Sequence, residues 1–231
     1  MVNLQHVAII MDGNRRWAKE HNRPIFEGHK RGEEKIEPIV DEAIKLGIKY
    51  LTFWAFSTEN WHRPKKEIDF LMNLYRHVLD RKVDSFHRKK IKINCIGDLE
   101  RFSDDLKAKT RKWMEKTKDN LAITVNLALS YGGKDEIIRA VNKWLKTDPS
   151  GKSKKKDLTP ETLGLNLDTA GQPDPDLIIR TGGELRLSGF LLWQSEYSEL
   201  YFTKVYWPDF TPDQFRKAVK EYHNRKRRFG K

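Results

Sequence analysis

Only one cysteine, Cys95, occurs in the 231 residues. A lone thiol excludes an internal disulfide and fits a reducing compartment. In the apolar stretch 91–97 it reads as a small buried side chain rather than a reactive nucleophile. Long apolar runs are missing too. None approaches the roughly 18 residues that a bilayer-crossing helix needs, and the first residues lack the basic-then-apolar pattern of a secretory leader. A soluble, cytoplasmic protein is therefore expected, with membrane contact only at its surface. Acids are the third shortage, with 33 Asp and Glu against 45 Lys and Arg and a net charge of +12. That excess favours anionic partners (nucleic acid, a membrane surface or phosphorylated small molecules) without choosing among them. Repeats and inter-domain linkers are also absent. With 38% hydrophobic residues, the chain can bury one sizeable core, and residues 1–231 read as a single domain.

What is present is an alternation of strand and helix patterns. Near-continuous apolar runs at 6–11, 48–56, 91–97, 121–129, 176–180 and 200–205 read as strands covered on both faces. Helical spacing marks 18–22, 28–46 with Gly47 as its cap, 65–90, 103–118 opened by Ser103, 134–146, 159–167, and 211–228 opened by Thr211 and Pro212. Pro38 lies inside the second of these and implies a kink or a later start. The segment 147–157 is lysine-rich and polar, the pattern of a surface loop. Its Gly151-Lys152-Ser153 looks like the tail of a phosphate-binding loop, but Lys146 stands where that motif needs glycine and no strand precedes it. The tail Arg225-Lys226-Arg227-Arg228 reads as a solvated helix end. The expected fold is α/β, a single domain with a mostly parallel central β-sheet flanked by helices. Ligands of such sheets bind beyond the C-terminal ends of the strands, so the polar clusters at Asp12, Ser57 and Arg180 are expected to face one crevice.

The opening stretch His6-Val7-Ala8-Ile9-Ile10-Met11-Asp12-Gly13-Asn14-Arg15-Arg16-Trp17 is the most informative. A strand that turns into a helix leaves backbone N–H groups free at the turn. With two guanidinium groups, these suit a phosphate-like anion. Asp12 would repel that anion unless a divalent cation held by oxygen ligands sits between them. Each cluster has a plainer reading. Asp12 can cap a helix, Ser57 and Asn60 can close a tight turn, Trp54, Phe56 and Trp61 can be core, and Arg180 and Arg186 can be structural ion-pair partners. The joint placement of three such clusters at one sheet edge favours the functional reading.

Asp12-Gly13-Asn14-Arg15-Arg16-Trp17 resembles the opening motif of the cis-prenyltransferases, the family that includes undecaprenyl diphosphate synthases. Gly28-His29, then Phe56-Ser57-Thr58-Glu59-Asn60-Trp61 with Arg63-Pro64 and Glu67, and Tyr131-Gly132-Gly133 resemble its middle motifs. Asp174 through Glu184, Arg186, Ser188, Glu199-Leu200-Tyr201-Phe202 and Trp207-Pro208-Asp209-Phe210 resemble its closing ones, all in order. The resemblance implies condensation of isopentenyl diphosphate onto an allylic diphosphate such as farnesyl or geranylgeranyl diphosphate. Pyrophosphate would leave, and a long-chain Z-polyprenyl diphosphate would form with Mg2+ in a homodimer.

Carried over by position, Asp12 engages the metal and is catalytic together with Asn60. Gly13, Asn14, Arg15, Arg16 and Trp17 cradle the allylic diphosphate, helped by His29 and Arg63. Arg180, Arg186 and Ser188 hold isopentenyl diphosphate, and Glu199 completes the metal site near the dimer interface. Ser57, Trp61 and Glu67 place substrates. Such a reaction also needs an apolar tunnel, for which Ile39, Ile44, Leu71 and Val78 are candidates.

Three positions depart from the family pattern: Arg15 where glycine is usual, Ile25 where an arginine is common and for which Arg23 is a candidate substitute, and Ser130 where asparagine is usual. Short-chain synthesis, a non-catalytic prenyltransferase subunit and a basic nucleic-acid-binding protein are the rival readings. The intact Asp12, Asn14 and Arg16 weigh against the second. The clustering of Trp54, Phe56 and Trp61 beside one strand end weighs against the third, because single-stranded nucleic acid needs aromatics spread among exposed basic residues. Trans-type enzymes need aspartate-rich motifs, and the nearest candidate, Asp104-Asp105, ends in Ala108.

Overall fold

A computed structural model describes residues 4–146 and 157–225. Six strands form one sheet: β1 (His6–Ile10), β2 (Tyr50–Ser57), β3 (Ile91–Ile96), β4 (Ile123–Tyr131), β5 (Leu177–Arg180) and β6 (Glu199–Phe202). All pairings are parallel and the order is β3-β4-β2-β1-β5-β6. The strands lie between α1 (Asn14–Glu20), α2 (Ile25–Glu34), α3 (Ile36–Lys45), α4 (Lys65–Arg81), α5 (Val83–Arg88), α6 (Asp104–Thr117), α7 (Gly133–Lys146), α8 (Pro160–Gly164) and α9 (Pro212–Asn224). The α/β architecture read from the sequence is the observed one.

Strand β1 shows why the pattern is continuously apolar. Val7 and Ile9 point into the larger core with Ile39, Leu51, Phe53 and Phe215, while Ala8 and Ile10 point into the opposite layer with Ile178 and Phe190. Alternate side chains of one strand thus meet two apolar layers. The second layer carries a polar seam. His6 Nδ1 donates to the Pro173 carbonyl at 2.7 Å, and its Nε2 meets the Thr52 hydroxyl at 2.8 Å. Asn126 donates to the same hydroxyl at 2.9 Å and accepts from Asn94 at 3.0 Å. Burial pushes the His6 imidazole down to about 4, so it is neutral in the fold. Cys95 sits in β3 as a packed thiol, which burial pushes up to about 12.

Several boundaries differ from the expected ones for identifiable reasons. The helix expected at 28–46 is two, α2 and α3, meeting at Lys35, and Pro38 occupies the first turn of α3, where its missing N–H has no intrahelical partner to lose. The helix expected over 65–90 divides at Lys82 into α4 and α5. The first helix starts at Asn14, directly after Gly13 at φ 111°, as the strand-to-helix reading of the opening stretch implies, and ends at Glu20. Residues 57–64, read as loop, carry a 3-10 turn, Thr58–His62. The loop expected at 147–157, its Gly151-Lys152-Ser153, and the tail beyond Arg225 lie outside the described residues, apart from Asp157.

Strand order positions the site. The chain leaves β1 towards β2 on one side, and later crosses to place β5 on the other. The C-terminal ends of β1 and β5 therefore flank the point where the winding reverses, the usual ligand crevice of such sheets. Register sets Ile10 opposite both Trp54 and Arg180.

Candidate active site

Asp12 follows β1 by two residues and is held by its backbone. Its carbonyl accepts from the Thr181 hydroxyl at 2.7 Å and from the Trp207 N–H at 3.0 Å. Its carboxylate does not cap α1. One oxygen faces Arg16 Nη2 at 3.1 Å and the other accepts from Arg180 Nη2 at 2.9 Å. Arg180, buried at the end of β5, also donates to the Ser188 hydroxyl at 2.9 Å and to the Arg186 carbonyl. Asp12 thus stands between an arginine of the opening motif and an arginine of the closing one.

Three hollows meet here. A polar pocket of about 710 Å³ is lined by Asp12, Gly13, Arg15, Arg16, Arg63 and, beyond them, Lys19 and Arg23. A second, of about 360 Å³, is lined by Asp12, Ser57, Asn60, Arg63, Arg180 and Ser188. An apolar cavity of about 130 Å³ runs along the inner face of α4 past Leu71, Tyr75 and Val78, then Phe86 and Leu127. Met11, Asn14 and His29 line all three. Leu71 to Lys82, both lining the cavity, spans about 16 Å of helix. Ile39 is sealed in the core and Ile44 packs against it, so neither lines the cavity, whereas Leu71 and Val78 do.

Beneath the junction lies Glu67, 4% exposed. Its Oε1 accepts from Arg63 Nη1 at 3.0 Å and meets His29 Nε2 at 3.1 Å, while its Oε2 faces Arg15 Nε at 3.9 Å. Glu67 lines none of these pockets and instead holds three groups that do. Burial lowers the His29 pKa, with the Glu67 hydrogen bond opposing it. The imidazole is therefore neutral at pH 7. With Nε2–H donated to Glu67, Nδ1 carries the free lone pair. Asn14 Nδ2 donates to the Met11 carbonyl at 3.3 Å, but its Oδ1 is buried without a partner. A buried acceptor of this kind is costly unless a ligand or water satisfies it.

The turn reading of Ser57 and Asn60 holds alongside the pocket reading. Asn60 Oδ1 accepts from the Ser57 N–H at 3.1 Å, and both residues line the second pocket. Trp61 donates from Nε1 to Ser130 Oγ at 2.9 Å and packs edge-on to Phe56 and Phe102. It frames the pocket wall without lining it.

Two expected site residues lie elsewhere. Trp17 is 7% exposed, stacked on His21 at 4.3 Å and covered by Arg31, so it supports α1 and α2 rather than touching a pocket. Glu199 starts β6 at the level of Leu177, whereas Asp12 lies two residues beyond Ile10, which is level with Arg180. Five strand residues and two strand spacings separate them, close to 20 Å, and Glu199 accepts instead from Arg225 at 2.9 Å. Glu199 does not join Asp12 in a metal site within one chain. Arg186 lines neither polar pocket and is tied to Glu184 at 2.5 Å.

Conversely, the structure adds Lys19, Met11 and, through its bond to Arg16, Glu184 to the site, and it brings Arg23 to the first pocket. The signal for Lys19 was its helical spacing from Arg15, and that for Arg23 its nearness to Ile25, which also lines the first pocket.

The described residues contain no cluster of three or more His, Cys, Asp or Glu side chains able to hold a metal. A magnesium site needs no such cage. One carboxylate plus substrate phosphates and water suffices for that ion. Asp12, with a 28% exposed carboxylate opening onto both polar pockets, fits that donor set.

Comparison with known proteins decides the family. The sequence model of the undecaprenyl diphosphate synthase family of prenyltransferases matches residues 10–230. The chain belongs to that family. An isoprenyl transferase of Thermotoga maritima is 49% identical over 226 residues, 98% of this chain and 96% of that protein. One from Clostridium perfringens is 47% identical over 98% of this chain and 89% of its own length. Among solved structures, lavandulyl diphosphate synthase from Lavandula x intermedia, bound to dimethylallyl diphosphate, superposes with a TM-score of 0.94 at 37% identity, covering 98% of each chain. A probable undecaprenyl diphosphate synthase from Campylobacter jejuni superposes with a TM-score of 0.84 at 38% identity over the full length of both. This prenyltransferase therefore carries the family's fold with its polar clusters at the reversal of the winding. No helix among the described residues is long and apolar enough to cross a membrane.

Proposed function

We propose that this protein condenses isopentenyl diphosphate with an allylic diphosphate, farnesyl or geranylgeranyl diphosphate, into a Z-polyprenyl diphosphate of long chain. The observation that carries the reading is the meeting of one cation-rich pocket, a second polar pocket that holds Arg63 and Arg180, and one apolar cavity at Met11, Asn14 and His29. Two diphosphates and one hydrocarbon chain are what such a junction suits. The first pocket, with Arg15, Arg16, Lys19, Arg23 and Arg63, takes the allylic diphosphate, whose tail enters the cavity. The second, with Arg180 and Ser188, takes isopentenyl diphosphate. Ser57 and Asn60 bound its far side.

The chemistry follows from the charges. The bond from the allylic carbon to its diphosphate breaks, leaving positive charge on carbon and negative charge on the departing oxygens. Fixed guanidinium groups stabilise those oxygens without reorganising. Holding the isopentenyl double bond beside that carbon replaces a bimolecular encounter by a set geometry. The carbon–carbon bond forms, and a proton leaves the isopentenyl carbon next to the new cation. His29, neutral and with Nδ1 unprotonated, is the base placed at the junction to receive it. Mg2+, held by Asp12 and diphosphate oxygens, would add Lewis-acid stabilisation of the leaving group.

A homodimer completes the proposal, supported by the exposed apolar side chains Leu185, Leu192, Trp193 and Tyr197 between β5 and the edge strand β6. The test incubates the protein with farnesyl diphosphate, labelled isopentenyl diphosphate and Mg2+, then sizes the products. Elongation to long Z-chains supports it. No elongation of any allylic primer rejects it.

A further inference from the structure

Glu184 belongs to a turn built with unusual constraint. After Arg180 the chain passes through Thr181, Gly182 and Gly183, with the two glycines at φ 85° and 84°. A Cβ on Gly182 would lie 2.8 Å from Arg16 Nη2 and 3.1 Å from the Asp12 carbonyl, so only glycine allows this approach. The glycine N–H groups donate to the Val205 and Thr203 carbonyls, each at 2.8 Å. The turn is clamped between the opening loop and the segment that follows β6, and it delivers Glu184 to a fixed place.

At that place the carboxylate is divided between two cations. Oε1 accepts from Arg16 Nη1 at 3.1 Å and Oε2 from Arg186 Nη1 at 2.5 Å. Arg16 has a second anchor in Asp12 at 3.1 Å. For the Arg186 guanidinium, Glu184 is the one side-chain partner among the described residues, and the Arg186 side chain is 62% exposed. Its backbone is held through the carbonyl that accepts from Arg180. An exposed arginine on a fixed backbone loses much rotamer freedom when it meets a diphosphate, and two guanidinium groups drawn together repel unless an anion is shared between them.

We propose that Glu184 is a positioning residue: it holds Arg186 just outside the second pocket, where the Arg186 carbonyl is anchored to the pocket residue Arg180, poised to close on the isopentenyl diphosphate bound there, and it shields Arg186 from the charge of Arg16. The inference rests on the proposed substrate assignment. It commits to an asymmetry, because Arg16 keeps Asp12 when Glu184 is lost and Arg186 keeps no side-chain partner.

The test is equilibrium titration by calorimetry of isopentenyl diphosphate, and separately of a non-cleavable farnesyl thiodiphosphate, into wild type, Glu184→Gln, Arg186→Ala and the double variant. Loss of one charged hydrogen bond should weaken isopentenyl diphosphate binding about tenfold in Glu184→Gln. The farnesyl analogue should change by less than about threefold, as expected for a guanidinium still anchored by Asp12. Adding Glu184→Gln to Arg186→Ala should weaken isopentenyl diphosphate binding no further, and the melting temperature should stay at the wild-type value. Equal weakening of both ligands, tighter binding in Glu184→Gln, or additive losses in the double variant would overturn the assignment. Binding is read independently of turnover. A wild-type chain that binds both ligands without joining them would defeat the proposed reaction and leave Glu184 to be judged by its own titrations.

Discussion

Replacing Gly28 by alanine tests how tightly the site depends on the packing of α2 against α1. A Cβ at residue 28 would lie 2.2 Å from the Asn14 carbonyl oxygen and 3.0 Å from its carbon. The obstacle is backbone, so no side chain can swing aside. Restoring ordinary contact requires a displacement of about 1 Å between the two helices. Overpacking of that size costs about 1–3 kcal/mol, which in a chain of this length lowers the melting temperature by roughly 2–4 °C per kcal/mol. The functional loss should be larger than the loss of stability. His29 is the next residue on α2, and Asn14 opens α1, so the shift separates two of the three groups common to all three hollows. Misplacement by about 1 Å can cost on the order of 100-fold in rate. Calorimetric melting and steady-state turnover, measured well below the melting temperature, separate the two effects. Gly164→Ala is the control, since nothing lies within 4 Å of a Cβ there and the position has no positive φ; it should be neutral or stabilising by up to about 1 kcal/mol. A Gly28→Ala chain with wild-type melting and turnover would refute the packing argument.

Asp12→Asn should abolish turnover while its amide oxygen can still accept from buried Arg180, so melting should fall less than in Asp12→Ala, which leaves that guanidinium without its carboxylate; a chelator should silence the wild type until Mg2+ is restored, and undiminished turnover in either experiment removes Asp12 or the ion from the reaction. Val78→Trp, which intrudes into the apolar cavity beside α4 away from both polar pockets, should shift products to shorter chains at near-normal rates of first condensation, and an unchanged product ladder would show that the growing chain runs elsewhere. Stability should fall with acidification because of His6. Its folded value of about 4 lies below the ordinary 6.5, so the unfolded chain binds more protons between those values. The contribution is fully present above about pH 6.5 and is lost as pH falls towards 4, at about 1.4 kcal/mol per unit. Urea unfolding at pH 7 and pH 5 should differ by about 2 kcal/mol from this residue; a His6→Gln chain with the same pH slope would exclude it.

Much of the site was legible in the sequence because its residues sit in contiguous motifs directly after strands. Asp12, Asn14, Arg16, Ser57, Asn60, Arg63, Arg180 and Ser188 all fall at the polar pockets. The misplacements share a cause. Trp17 belongs to the opening motif, yet helical geometry turns it from the pocket onto His21 and Arg31. Glu67 is expected to place substrates, yet it lines no pocket, and the fold instead gathers His29, Arg63 and Arg15 around it. The splits at Lys35 and Lys82 had no strong local marker apart from Pro38, because helix continuity there is decided by how each segment packs on the sheet.

By itself, the sequence determined the class of the fold and the ends of the strands where chemistry gathers. Strand and helix periodicities are local properties, and apolar runs of this kind demand cover on both faces. Tertiary structure alone decided which ends meet. Asp12 and Arg180 lie 168 positions apart and touch because β5 pairs beside β1 in the register that sets Arg180 opposite Ile10. The same register carries Glu199 to the other end of the sheet. Pairing between distant strands depends on packing over the whole core, and no local periodicity encodes it.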